Sequence, residues 1–170
     1  DPLTALPNRR LLLDRLEQTL HASTRHNRHY ALLFVDLDNF KTLNDTLGHH
    51  QGDLLLAQVA QRLKTCLRDG DMVARLGSDE FVVLLEDLGE DSIEAAAQAE
   101  AVGNTILKGF EPAFMLDQGD YHATPSIGIT LFGGSALQGS EQPLQHAELA
   151  MFQAKTAGRN TYRFYQVEMT

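Results

Sequence analysis

The chain has 170 residues, 43% of them hydrophobic and 22% charged, which suits one domain with a sizeable core and excludes a disordered chain. Its formal net charge of -9 argues against broad electrostatic binding to nucleic acid or to an anionic membrane surface. No apolar run approaches the roughly 20 residues that span a bilayer, and the opening stretch DPLTALPNRR lacks the layout of a signal peptide.

In chain order, LPNRRLLLDRLEQTLHAS begins with a turn and continues with Leu12, Leu13, Leu16 and Leu20 at helical spacing. YALLFVDLD is an almost continuous apolar run ending in acids, the pattern of a central strand. A helical pattern starts at Phe40 and breaks at LGHHQGD, where two glycines predict a turn that holds His49 and His50. Asp53 then reads as the N-cap of a second helix, LLLAQVAQRLKTCL. That helix carries Cys66, the one cysteine, which excludes an internal disulfide, fits a reducing cytoplasm and reads as a core residue.

RDGD is a turn. MVARLG and EFVVLLED flank GSD and predict a β-hairpin with a glycine-assisted tip. DSIEAAAQAEAVGNTILKGF is an alanine-rich helix, and YHATPSIGITLF a strand whose Pro125 suggests an edge position or an irregular start. PLQHAELAMFQAKTAG is a helix closing at Gly158, and NTYRFY a last strand. Strands joined partly by hairpins and partly by helices imply an α+β fold, with a ferredoxin-like strand-helix-strand-strand-helix-strand unit in its middle. His21, His26 and His29 show no ligand spacing and read, like His49 and His50, as surface residues.

Asp36 falls where the first strand ends and Asp79 at the hairpin tip. If those strands pair, two carboxylates without a basic neighbour face one edge of the sheet and repel each other. A divalent cation removes the conflict, and oxygen ligands completed by substrate phosphate and water describe a magnesium site. Solvated acids at strand ends are the alternative. A strand ending in DLD also resembles the nucleophile motif of haloacid-dehalogenase phosphatases, but Phe40 stands where those carry Thr or Val, and a helix precedes the strand.

Four segments in order, DPLTALPNRR, FVDLDNFKTLNDTLGHHQGDLLL, RDGDMVARLGSDEF and AMFQAKTAGRN, together resemble the GGDEF family of diguanylate cyclases, along essentially the whole chain. The resemblance implies a nucleotidyl-cyclase-like sheet flanked by helices. It implies condensation of two GTP into c-di-GMP with release of two pyrophosphates, in a homodimer with one GTP per domain. Asp36, Asp79 and the backbone carbonyl of Leu37 match the positions that bind magnesium, or manganese in its place. Asn44 and Asp53 match the residues that read guanine, and Leu56 a wall of that pocket. Phe40 and Lys41 match amides near the phosphates. Lys155 and Arg159, four apart and expected on one helix face, match the triphosphate-binding pair. Glu80 matches a position tied to catalytic geometry or to activation of the attacking hydroxyl. Each has a plainer reading as a turn, cap, core or helix-end residue.

The signature loop Gly77, Ser78, Asp79, Glu80, Phe81 departs from the family pattern, because Ser78 replaces its second glycine. If that position needs positive φ, serine costs about 1 kcal/mol; if it needs only room, the hydroxymethyl crowds the nucleotide. Members with altered signatures include GTP-binding modules that regulate a neighbouring domain without turnover. Arg68 and Asp71 match an inhibitory RxxD site for the product c-di-GMP, at the family's distance from Gly77. The beginning on the opening motif and the ending YRFYQVEMT, similar to the connection into a phosphodiesterase EAL domain, suggest a domain excised from a longer cytoplasmic or membrane-anchored protein with sensor and EAL neighbours.

Overall fold

The computed structural model describes residues 1–133 and 141–166. The last four residues of YRFYQVEMT lie outside them. Helix α1 (Arg9–His26) precedes strand β1 (His29–Leu37), and α2 (Phe40–Leu47) and α3 (His49–Thr65) lead to the hairpin β2 (Met72–Arg75) and β3 (Glu80–Leu85). Then come α4 (Ser92–Gly109), a small hairpin β4 (Phe114–Leu116) and β5 (Gly119–Tyr121), β6 (Pro125–Gly133), α5 (Glu141–Thr156) and β7 (Thr161–Phe164). The main sheet has the order β2-β3-β1-β6-β7. All its pairs are antiparallel except β6 with β7. The run β2-β3-β1-β6 is the ferredoxin-like order, and the antiparallel pairing removes the doubly wound parallel sheet that the phosphatase reading requires.

β1 is apolar almost throughout because both of its faces are covered. Ala31, Leu33, Val35 and Leu37 pack with Leu43, Leu55, Leu56 and Val59 of α2 and α3 and with Ala99 and Ile106 of α4. Tyr30, Leu32 and Phe34 face the other way, against Leu12 and Leu16 of α1 and Leu144 and Met151 of α5. The two-residue period of a strand therefore puts Asp36 on the α1/α5 face. α5 can lie close on β6 only because of Gly128, where an added Cβ would come within 2.0 Å of the Ala147 carbonyl oxygen.

Several sequence expectations change. Asp53 is not a cap: Gly48, at φ 94, breaks α2 from α3, which starts at His49, so Asp53 sits inside the helix and His49 and His50 in its first turn. Pro125 opens β6 but not at an edge, since β6 lies between β1 and β7; as first residue of the strand it interrupts no ladder. Cys66 is half-buried at the C-cap of α3, its thiol donating to the Arg62 carbonyl at 3.3 Å, and is not a full core residue. His29 is half-buried at the start of β1, its backbone N–H donating to the Gly89 carbonyl at 2.7 Å. The β4–β5 hairpin was not expected. Gln51 and Gln58 hold it on α3: Gln58 exchanges two hydrogen bonds with the Met115 backbone, and Gln51 accepts from the Asp117 N–H.

Candidate functional site

The β1–β3 register places Asp36 opposite Glu80, and the Leu37 N–H donates to the Asp79 carbonyl at 3.2 Å. The hairpin tip is thereby tied to the end of β1, and the side chains of Asp36 and Asp79 come within hydrogen-bonding contact. Burial, first, and then the charge of Asp79 push the Asp36 carboxyl up from 3.8 to about 7, against the lowering effect of Lys155. Glu80 is raised too, chiefly by burial and then by Asp79 and Glu148, with Arg9 and Lys155 opposing.

The expectation of no basic neighbour fails at one residue. α5 brings Lys155 Nζ to 3.6 Å from Asp36 Oδ1 and 3.5 Å from Asp38 Oδ1. Arg159 does not share its helix face. α5 ends at Thr156, Gly158 turns at φ 115, and Arg159 follows at φ 65 with its N–H on the Ala154 carbonyl, an exposed residue in a left-handed helix ending.

The signature loop is braced by a residue to which the sequence assigned no role. Arg75 donates to the carbonyls of Gly77 at 3.0 Å and Ser78 at 2.9 Å and pairs with Asp1 of the opening motif at 3.0 Å. Its position inside the quoted signature was the only available signal. Neither Gly77 nor Ser78 has positive φ, so Ser78 carries no backbone strain. Its hydroxyl donates to Asp79 Oδ1 at 3.2 Å. A Cβ at Gly77 would stand 2.6 Å from Glu80 Oε1, so a larger residue there would displace the Glu80 side chain.

At the start of α2, Asn39 is left-handed at φ 61 and its side chain caps nothing, leaving the first-turn amides beginning at Phe40 and Lys41 without a side-chain cap. Phe40 itself is buried in the core and Lys41 is exposed. Asn44 Oδ1 is buried without a hydrogen-bond partner and points at Gly52, where an added Cβ would be 2.0 Å away. Asp53, next to Gly52, is exposed, and Leu56 is buried in the core beneath.

Arg68 and Asp71 meet, with Nε 3.5 Å from Oδ2. The Asp71 side chain is only 3% exposed and is engaged by the backbone N–H groups of Arg68 and Glu86, both at 3.2 Å. Arg68 is 59% exposed and lies between two clefts of about 310 and 200 Å³, one lined by Lys64, Leu67 and Asp71, the other by Leu88, Gln98 and Ala101. Among the described residues no three His, Cys, Asp or Glu side chains converge as a metal cluster. The donors present, two adjacent carboxylates in electrostatic conflict, are of the kind that suits a hard dication with its other oxygens from ligand and water. No described helix is long and apolar enough to cross a membrane.

Comparison with known proteins gives this arrangement its context. The family model "Diguanylate cyclase, GGDEF domain" matches residues 1–161. The chain is 43% identical over 169 residues to the bifunctional diguanylate cyclase/cyclic di-GMP phosphodiesterase MucR of Pseudomonas aeruginosa, covering 99% of this chain and 24% of MucR. It is 37% identical to the diguanylate cyclase TpbB of that organism, over 98% of this chain and 37% of TpbB. It therefore spans well under half the length of these relatives. The solved structure of the isolated GGDEF domain of TpbB superposes with a TM-score of 0.92 at 35% identity, covering 99% of this chain and 95% of that one. The chain belongs to the GGDEF domain family of diguanylate cyclases.

Proposed function

We propose that this domain condenses two GTP into c-di-GMP and two pyrophosphates as a homodimer, dependent on magnesium, with manganese as a substitute. The observation that carries the reading is the meeting of Asp36 and Asp79 at the end of β1 with Lys155 beside them. Asp36, Asp79 and the Leu37 carbonyl would hold the cation, which supplies positive charge against the phosphates. Lys155 and the exposed Arg159 bind and orient the pyrophosphate end. The uncapped amides at Phe40 and Lys41 donate hydrogen bonds to phosphate oxygens. The exposed Asp53 carboxylate accepts the N–H groups of guanine, which adenine lacks in that pattern, and the Asn44 side-chain amide donates to a guanine acceptor. The 3′-hydroxyl of one GTP attacks the α-phosphorus of the other, the α–β phosphoanhydride bond breaks, and Glu80, with its carboxyl pushed upward, takes the hydroxyl proton. Repetition in the other direction closes the ring.

Arg68, exposed although its Nη2 donates to the Glu86 carbonyl at 3.1 Å, offers its outer guanidinium N–H groups to c-di-GMP at an inhibitory site. Asp71 contributes by fixing the turn that presents Arg68. Sensor and EAL domains elsewhere in a longer cytoplasmic or membrane-anchored protein would supply control. A second reading, a GTP-binding module that regulates an adjacent phosphodiesterase without turnover, is favoured by the signature serine and by the relative NbdA of Pseudomonas aeruginosa, 36% identical over 99% of this chain and named a cyclic di-GMP phosphodiesterase. One experiment separates the two. A dimer enforced by fusion to a coiled coil is incubated with GTP and magnesium and the products are chromatographed. c-di-GMP that disappears with Asp79→Ala supports the cyclase, whereas GTP binding without product supports the regulatory module.

A further inference from the structure

Of the two acids in DLD, the second is the more buried, and its side chain is 1% exposed. The Ser126 hydroxyl donates to Asp38 Oδ1 at 2.6 Å, and the Thr124 hydroxyl to Oδ2 at 2.7 Å. The Asn160 N–H donates to Oδ2 at 3.1 Å, and Lys155 Nζ lies 3.5 Å from Oδ1. A carboxylate offers about four acceptor positions, so these four donors saturate it. They come from β6, from the segment leading into β6, and from α5 with the turn after it. Arg159 and Asn160 in that turn are both left-handed, at φ 65 and 49; Asn enters this region readily, whereas Arg adopts it where its surroundings hold it there. Asp36, by contrast, faces Asp79 and Lys155.

We infer that Asp38 is a positioning residue: it takes no ligand, and by accepting from Lys155 and Asn160 it fixes the cationic wall of the site at a set distance from Asp36. Lys155 stands almost equally far from the two acids, 3.6 and 3.5 Å. The pull of Asp38 keeps it from closing on Asp36 and occupying the place a cation would take. The inference rests on the proposed GTP site for its functional half only, because the restraint itself is a property of this chain.

The test is titration of the whole 170-residue chain with GTP and magnesium, for wild type, Asp38→Asn, Lys155→Ala and the double variant. Asp38→Asn should weaken binding about tenfold or more. The double variant should bind little worse than Lys155→Ala, because one effect runs through the other. Losses that multiply independently, or unchanged binding in Asp38→Asn, overturn the inference. A role confined to holding the fold would lower the melting temperature without this coupling. If wild type binds no GTP, the functional reading fails, and amide hydrogen exchange at Asn160 decides the restraint by itself: exchange about tenfold faster in Asp38→Asn is expected, and equal rates refute it. Should Asp38→Asn not fold, Ser126→Ala removes one donor from the same oxygen and should weaken GTP binding by a smaller factor; no change there overturns the inference.

Discussion

Replacing Asp36 by Asn should make the protein more stable at neutral and alkaline pH. In the folded chain the Asp36 carboxyl is raised from 3.8 to about 7 by burial and then by Asp79. Between those values the native state binds more protons than the unfolded chain, so stability falls as pH rises through the window and levels off above it. At 1.36 kcal/mol per pH unit, the full window corresponds to about 4 kcal/mol. Asp79 shares the same repulsion, so a gain of roughly 2 to 4 kcal/mol is expected for Asp36→Asn at pH 8. The gain should shrink towards zero as pH falls to about 4. Urea unfolding of both proteins at several pH values, without divalent cations, reads the difference directly. Equal or lower stability of the variant at pH 8, or a difference that does not change with pH, would refute the claim that the two acids crowd each other at the end of β1. Magnesium with GTP should stabilise the wild type and leave the variant almost unchanged.

Gly128→Ala forces a Cβ to within 2.0 Å of the Ala147 carbonyl oxygen and 2.2 Å of the Met151 N, so α5 must withdraw from β6. A loss of about 3 kcal/mol or more in thermal unfolding is expected, and a change below about 1 kcal/mol would contradict the packing. Ser78→Gly relieves no strain, because Ser78 does not have positive φ; its stability should stay within about 0.5 kcal/mol of wild type, and a clear gain in a denaturant titration would show hidden strain. Arg68→Ala should raise the c-di-GMP concentration needed for half-inhibition in the turnover assay. Unchanged inhibition would remove Arg68 from the product site.

The elements that could be read from the chain are those whose pattern is set by burial. The continuous apolar runs of β1 and β3 and the leucine stripe of α1 all report burial against the core, and the structure has them. The misplaced features depend on single backbone angles. Gly48 moves the start of α3 ahead of Asp53, and the left-handed turn at Gly158 and Arg159 lifts Arg159 off the helix that carries Lys155. β4 and β5 are three residues each, too short for periodicity to register, and side chains of α3 hold β4 in place. At the site, the acids of the first strand and the hairpin were recognisable as residues brought together by strand pairing. Lys155 as their neighbour, Asp1 as the partner of Arg75 and Asp38 as an acceptor for three segments are long-range contacts, between residues separated by as many as 122 positions, and no local pattern encodes them.

The most direct measurement is a crystal of the domain grown with manganese and a GTP analogue that cannot react, with the metal located by its anomalous scattering. The expected result is a manganese ion about 2.0 to 2.3 Å from carboxylate oxygens of both Asp36 and Asp79 and from phosphate oxygens. A nucleotide bound with its metal away from these two side chains, or with Asp36 and Asp79 turned apart, would contradict the shared grip on which the proposed chemistry depends.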